Sequence, residues 1–203
     1  MKTQIIKLTL ILSLLFTLTN CKKISEKVST TVFEKAYESS TGQKIDAIEI
    51  GNMEKNKVTI DLKFGSPELD GRLNGDEIIG MVTAMEDAIS VSVSVDGGEV
   101  GMLMSFNGDE LKNKKPIKGS PEGDINFSAA ILFMGRDVEG MESWSSDDAV
   151  GELLTLNDKK AVLKAKGTFT KIGGEEKVPF DGTITIDYPV FQAIGGKKSD
   201  FEY

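Results

Sequence analysis

The side chains that could do chemistry are bounded first by what the chain lacks. Its 203 residues include no histidine and a single cysteine, Cys21. Without imidazole there is no Ser-His-Asp or Cys-His nucleophile, because nothing near neutral pH can take the attacking group's proton in the usual way. Histidine-dependent zinc sites and a Cys₄ site are excluded by the same count. A lone thiol rules out dithiol redox chemistry and an internal disulfide. Carboxylates remain, and the chain has 32 acidic residues against 24 basic ones. Glycoside hydrolysis needs only two of them facing one another, and Glu139 or Glu142 with Asp147 or Asp148 are the pairs to consider. In so acidic a chain, such pairs arise readily among ordinary solvated residues.

Oxygen ligands could also hold calcium. The stretch Asp70-x-Arg72-x-Asn74-Gly75-Asp76 has the Asp and Gly spacing of a calcium loop, but Arg72 occupies a ligand position and Met81 stands where a bidentate Glu belongs. The pattern fails, and no cofactor or metal site follows from it. Trp144 is the only tryptophan and sits in the polar stretch Glu142-Ser143-Trp144-Ser145-Ser146. Its indole could contact a ligand or a partner, or fold inward to close one end of the domain. Met81, Met85, Met102, Met104, Met134 and Met141 supply adaptable apolar side chains. Met102 and Met104 join Trp144 as candidate contacts to an apolar ligand or protein partner, and core filling is the competing role for all three.

Alternation of period two dominates the elements that must position these residues. Val58, Ile60, Leu62 and Phe64 share one face of a predicted strand. Ile89, Val91, Val93 and Val95 share another, spaced by Ser90, Ser92 and Ser94. Asp96-Gly97-Gly98 then turns the chain into Val100, Met102, Met104 and Phe106, a β-hairpin pattern. Further strands are predicted over 69–73, 78–82, 125–134, 150–156, 161–171 and 177–187, with long loops at 107–124 and 135–149. The sum is a mostly β fold: an antiparallel meander forming a barrel or sandwich, in a single domain over residues 21–203. The strand pattern loosely resembles calycin-type meanders, without a diagnostic motif. One segment departs from period two. Over residues 22–41, Ile24, Val28, Val32 and Ala36 recur every fourth residue, with Phe33 and Tyr37 alongside and Gly42 at the end. That spacing predicts an N-terminal amphipathic helix.

Residues 1–20 differ from everything after them. Lys2 and Lys7 precede an apolar run from Leu8 to Leu18, about eleven residues long as in a secretory signal. A bilayer span needs roughly 20 apolar residues, and Lys22 and Lys23 end the run early. The run closes on Leu18-Thr19-Asn20-Cys21, which resembles the lipobox of bacterial lipoproteins, with Asn20 bulkier than the usual residue before the cysteine. The resemblance covers residues 1–21 only. It implies cleavage after Asn20, fatty acylation of Cys21, and attachment to a membrane of the bacterial cell envelope. Lys22 in place of Asp after the cysteine mildly favours the outer membrane. Loss of Lys2 and Lys7 makes the body still more acidic than the formal −8 of the whole chain. That balance excludes general nucleic-acid binding, which depends on Lys and Arg contacts to phosphate. The expectation is an envelope lipoprotein whose non-catalytic β domain binds a small, lipid-like ligand or a protein partner. The alternatives are a carboxylate-dependent glycan hydrolase and a purely structural interaction module.

Overall fold

A computed structural model describes residues 54–96, 99–134 and 142–203. Cys21, the predicted helix over 22–41, the turn at Gly97-Gly98, Glu139 and Met141 lie outside the described residues. Eleven strands make one mixed sheet. They are β1 (Lys57–Lys63), β2 (Ile78–Met85), β3 (Ala88–Val95), β4 (Val100–Asn107), β5 (Ile117–Gly119) and β6 (Asn126–Phe133), followed by β7 (Glu142–Ser146), β8 (Val150–Leu156), β9 (Lys160–Lys171), β10 (Lys177–Asp187) and β11 (Val190–Ala193). Two short helices, α1 (Pro67–Arg72) and α2 (Lys198–Phe201), and a 3-10 turn at Leu111–Asn113 complete the described elements.

Ladder order is β1-β10-β9-β7-β6-β4-β3-β2-β11. The twelve-residue β9 joins β10 along one edge and divides the other: Ala161 to Lys166 pair with β8, while Thr170 and Lys171 pair with β7. β8 in turn carries β5. Two features correct a simple antiparallel meander. β11 runs parallel to β2, and β1 pairs with β10 rather than with its sequence neighbour. Both need tertiary contact between distant parts of the chain, which alternation does not encode.

Most predicted strands lie where period two places them. Residues 69–73 do not: most of that segment is α1, with Leu69 and Leu73 both buried, as residues four apart on one helical face can be. Asp70 Oδ1 accepts the Phe64 N–H at 2.8 Å, which fixes the passage from β1 into α1. The long predicted loops contain β5 and β7, and β11 had no alternation to find. β7 reads Glu-Ser-Trp-Ser-Ser, too polar for a strand pattern, and β11 buries all four of its residues.

The sheet bends far enough to bring β2 close to β1 and β10. Asn56, just ahead of β1, donates to the carbonyls of Gly80 on β2 and Tyr188, each at 2.9 Å, and accepts the Gly80 N–H at 2.8 Å. Gly80 also makes room for β10, since a Cβ there would stand 2.6 Å from a methyl carbon of Ile186. At Gly182 on β10, φ is +154° and a Cβ would collide with the Asp61 carbonyl, so only glycine permits this approach to β1. A larger residue would have to displace the Ile186 side chain at Gly80 and the β1 backbone at Gly182.

The inner face carries the core. Val82, Val91, Met104, Phe106, Phe127, Leu163, Ile184 and Ile186 belong to one buried cluster that also takes Leu69 and Leu73 from α1. Phe64, Phe169 and Phe180 form a chain of ring contacts with centroid separations of 5.8 and 4.2 Å, and Phe106 meets Phe127 at 4.8 Å. At the C-terminus the Tyr203 hydroxyl donates to the Leu153 carbonyl and accepts the Ile117 N–H, tying β8 to β5.

The outer face divides in two. On β1 the outward residues Lys57, Thr59, Asp61 and Lys63 are exposed, and on β9 Lys160, Lys164 and Lys166 are too. On β3 all eight residues are buried, Ser90, Ser92 and Ser94 along with the valines between them.

Candidate functional site

One end of the sheet gathers its charged and aromatic side chains on the inner face. α1 crosses that end, seated by Leu69 and Leu73, and its last turn directs Arg72 to the C-terminal end of β6 and the start of β7. The guanidinium carbon lies 3.9 Å from the centre of the Phe133 ring, a cation–π contact. Arg72 Nη1 donates to Glu142 Oε2 at 2.7 Å. Lys171 Nζ, at the end of β9, donates to Glu142 Oε1 at 2.6 Å. One carboxylate is thus shared by two cations, and Lys171 also feels the charge of Glu176. The three charged side chains are about one-third exposed, so solvent and solutes reach them.

Hydrogen bonds from Lys171 and then Arg72 hold the Glu142 carboxyl below its usual range, outweighing partial burial. The same bond to Glu142 raises Lys171 above an ordinary lysine. Beneath the ions lies an apolar floor of Phe133 and Trp144, with Lys171 Nζ 5.6 Å from the indole. Trp144 is 3% exposed, and its Nε1–H finds no hydrogen-bond partner among the described residues. A buried donor left unpaired costs about 1–3 kcal/mol, so an acceptor arriving here would relieve a standing cost.

Cross-strand register links this end to the middle of the sheet. Gly80, Val93, Met102, Ile131, Trp144 and Lys171 form one row over six strands. Met102 therefore lies in the same row as Trp144, two strands away, and Met104 is the next inward residue along β4. Both methionines are buried in the core cluster, at 2% and 0% exposure. Of the three candidate contacts, Trp144 alone touches the charged network. Arg72 and Lys171 were not singled out by the sequence. Their signal is weak, since Arg72 reads as a failed calcium ligand and Lys171 as a strand end.

The carboxylate pairs are differently occupied. Asp148 is also held below its usual range: burial opposes this, but the Thr168 N–H at 2.7 Å and the Ser146 hydroxyl at 2.9 Å prevail. A hydrolytic general acid needs a raised carboxyl, and both Glu142 and Asp148 are shifted the other way. Asp70 is committed to the Phe64 backbone, and no group of three or more acidic, cysteine or histidine side chains suited to a metal ion occurs among the described residues. Among the described residues, no helix is long and apolar enough to cross a membrane. Comparison with protein-family models, curated proteins and solved structures gave no match to this chain.

Proposed function

We propose that this chain is a lipid-anchored protein of the bacterial cell envelope, held by acylated Cys21, whose rolled, barrel-like β domain binds an anionic amphiphile without catalysing a reaction. The observation that carries the binding reading is the buried indole N–H of Trp144, without a hydrogen-bond partner among the described residues, beside two cations that share one carboxylate. An acidic head group would compete with Glu142 for Arg72 and Lys171, and its adjoining apolar part would meet Phe133 and Trp144. Desolvation on that aromatic floor strengthens such a charge-assisted contact relative to bulk water. The anchor reading is supported by the Leu18-Thr19-Asn20-Cys21 box, the short apolar run before it and the absence of any other cysteine. Lys22, in place of the Asp that holds some bacterial lipoproteins at the inner membrane, slightly favours the outer membrane, and an envelope protein partner bearing an acidic, apolar tip is the second form the ligand could take.

Trp144 is its own reporter, being the only tryptophan. Titrating the Cys21→Ser chain with oleate, and separately with a short-chain phosphatidic acid, should shift its emission saturably. Lys171→Gln should weaken that response about tenfold, the loss of one charged hydrogen bond. An emission spectrum indifferent to both amphiphiles, together with a native mass equal to that of the bare chain, would overturn the binding reading. The anchor is tested separately by metabolic labelling with a fatty-acid analogue: label on the wild-type chain and none on Cys21→Ser is expected, and label on both refutes it.

A further inference from the structure

The buried outer face of β11, β2, β3 and β4 is the other part of the molecule with unfinished bonding. A polar row crosses it in register: Gln192, Thr83, Ser90, Ser105 and Ser128 lie side by side on β11, β2, β3, β4 and β6. Ser90 and Ser105 satisfy each other, Oγ to Oγ at 2.9 Å. Gln192 does not finish its own bonding. It is 1% exposed, and its Nε2 has no hydrogen-bond partner among the described residues. Around the row stand Met81, Ser92, Ser94 and Leu103, all buried and all pointing away from the core cluster apart from the row's own neighbours. The matching face of β1 is open to water. Burial of an outward face requires a cover, and the two short described helices are too small to lie across four strands.

We propose that residues 22–41 are that cover, lying as one amphipathic helix across β11, β2, β3 and β4 with Ile24, Val28 and Val32 against the serine-rich surface. Three observations favour this occupant over others. The chain enters the described fold at this edge, where Asn56 is bonded to Gly80 of β2. The fourteen residues between 41 and 56 reach up to roughly 45 Å when extended, more than enough to return across the sheet. A twenty-residue helix is about 30 Å long, against about 14 Å across four strands at their usual spacing. Small side chains on the sheet let helix backbone come close, and the helix's own serines and threonines can supply the acceptor that Gln192 lacks. The sheet then has a dry second layer on one half only.

The test uses the full chain with Cys21→Ser and one new thiol, Ser92→Cys. A water-soluble maleimide should modify that thiol at least a hundredfold more slowly than it does in denaturant. Adding Val28→Asp and Val32→Asp should raise the rate at least tenfold, with Trp144 emission unchanged to certify an intact inner face. Rapid modification of Ser92→Cys in the unaltered chain would overturn the proposal. So would protection that survives the two aspartates, or protection that disappears on dilution, which would assign the face to a second copy. Should the aspartate variant not fold, cross-linking decides: Val32→Cys with Ser92→Cys should form an intramolecular disulfide under mild oxidation, while Glu34→Cys with Ser92→Cys should not. Equal yields from the two pairs would refute the arrangement.

Discussion

The two halves of the sheet are written in nearly the same code and meet different surroundings. β1 alternates Val58, Ile60 and Leu62 with Lys57, Thr59, Asp61 and Lys63, and its polar side is exposed. β3 alternates Ile89, Val91, Val93 and Val95 with Ser90, Ser92 and Ser94, and its polar side is buried. The difference is in which polar residues are used. Lysine and aspartate are charged and long, so they must remain hydrated, whereas serine is small, uncharged and can be satisfied by a neighbour such as Ser105. A strand that spaces its apolar residues with serine is therefore equipped for burial on both faces, and one that uses lysine is not.

That contrast can be broken most severely by putting charge on the covered side. Ser92→Lys should cost about 3 kcal/mol or more, since an unpaired ammonium cannot be kept in an apolar layer, while Thr59→Lys should stay within about 0.5 kcal/mol. Urea denaturation of the two variants reads the difference directly, and equal midpoints would mean that the β3 face is not covered in solution. The next effect is at the place where the halves meet. Gly80→Ala puts a methyl against Ile186, and overpacking of this kind should lower stability by about 1–3 kcal/mol in the same assay.

A finer test concerns the serine pair. Ser90→Ala should cost about 1 kcal/mol because it strands the Ser105 hydroxyl, and the double variant with Ser105→Ala should recover most of it. Non-additivity of that sign would mark the covered face as dry. The smallest expected effect belongs to the open end of the sheet. Glu142 is lowered from its ordinary value by Lys171 and Arg72, so its contribution to stability is present above the unfolded pKa of about 4.3 and is lost as pH falls through the lower folded pKa. Denaturant midpoints measured from pH 6 to pH 2 should fall less steeply for Glu142→Gln than for the unaltered chain. With the group about one-third exposed, the difference should be a fraction of a kcal/mol. A steeper acid limb in the variant would show that the ion network is not formed.

What happens at the two unfinished donors follows the same division. Trp144 Nε1 is buried beneath the partly exposed Arg72, Glu142 and Lys171, whereas Gln192 Nε2 is buried on the serine-bearing outer face. The first suits an exchangeable ligand and the second a resident cover.

Period-two alternation, read from the residues alone, determined the mostly β fold and located β1, β3, β4, β6, β8, β9 and β10 to within a residue or two. It could do so because side chains on a pleated strand sort by face before any partner is chosen. The missing histidines and the single cysteine likewise removed whole classes of chemistry without reference to any fold. Only the tertiary structure decided the pairing of β1 with β10, the parallel β11, and the meeting of Arg72, Glu142 and Lys171 from three separate elements. Those contacts join residues dozens of positions apart, and nothing local in Arg72 or Lys171 announces a partner. Burial of the serine face belongs to the same class. Alternation can say that Ser90, Ser92 and Ser94 share a side, but whether that side meets water depends on what else the chain lays against it.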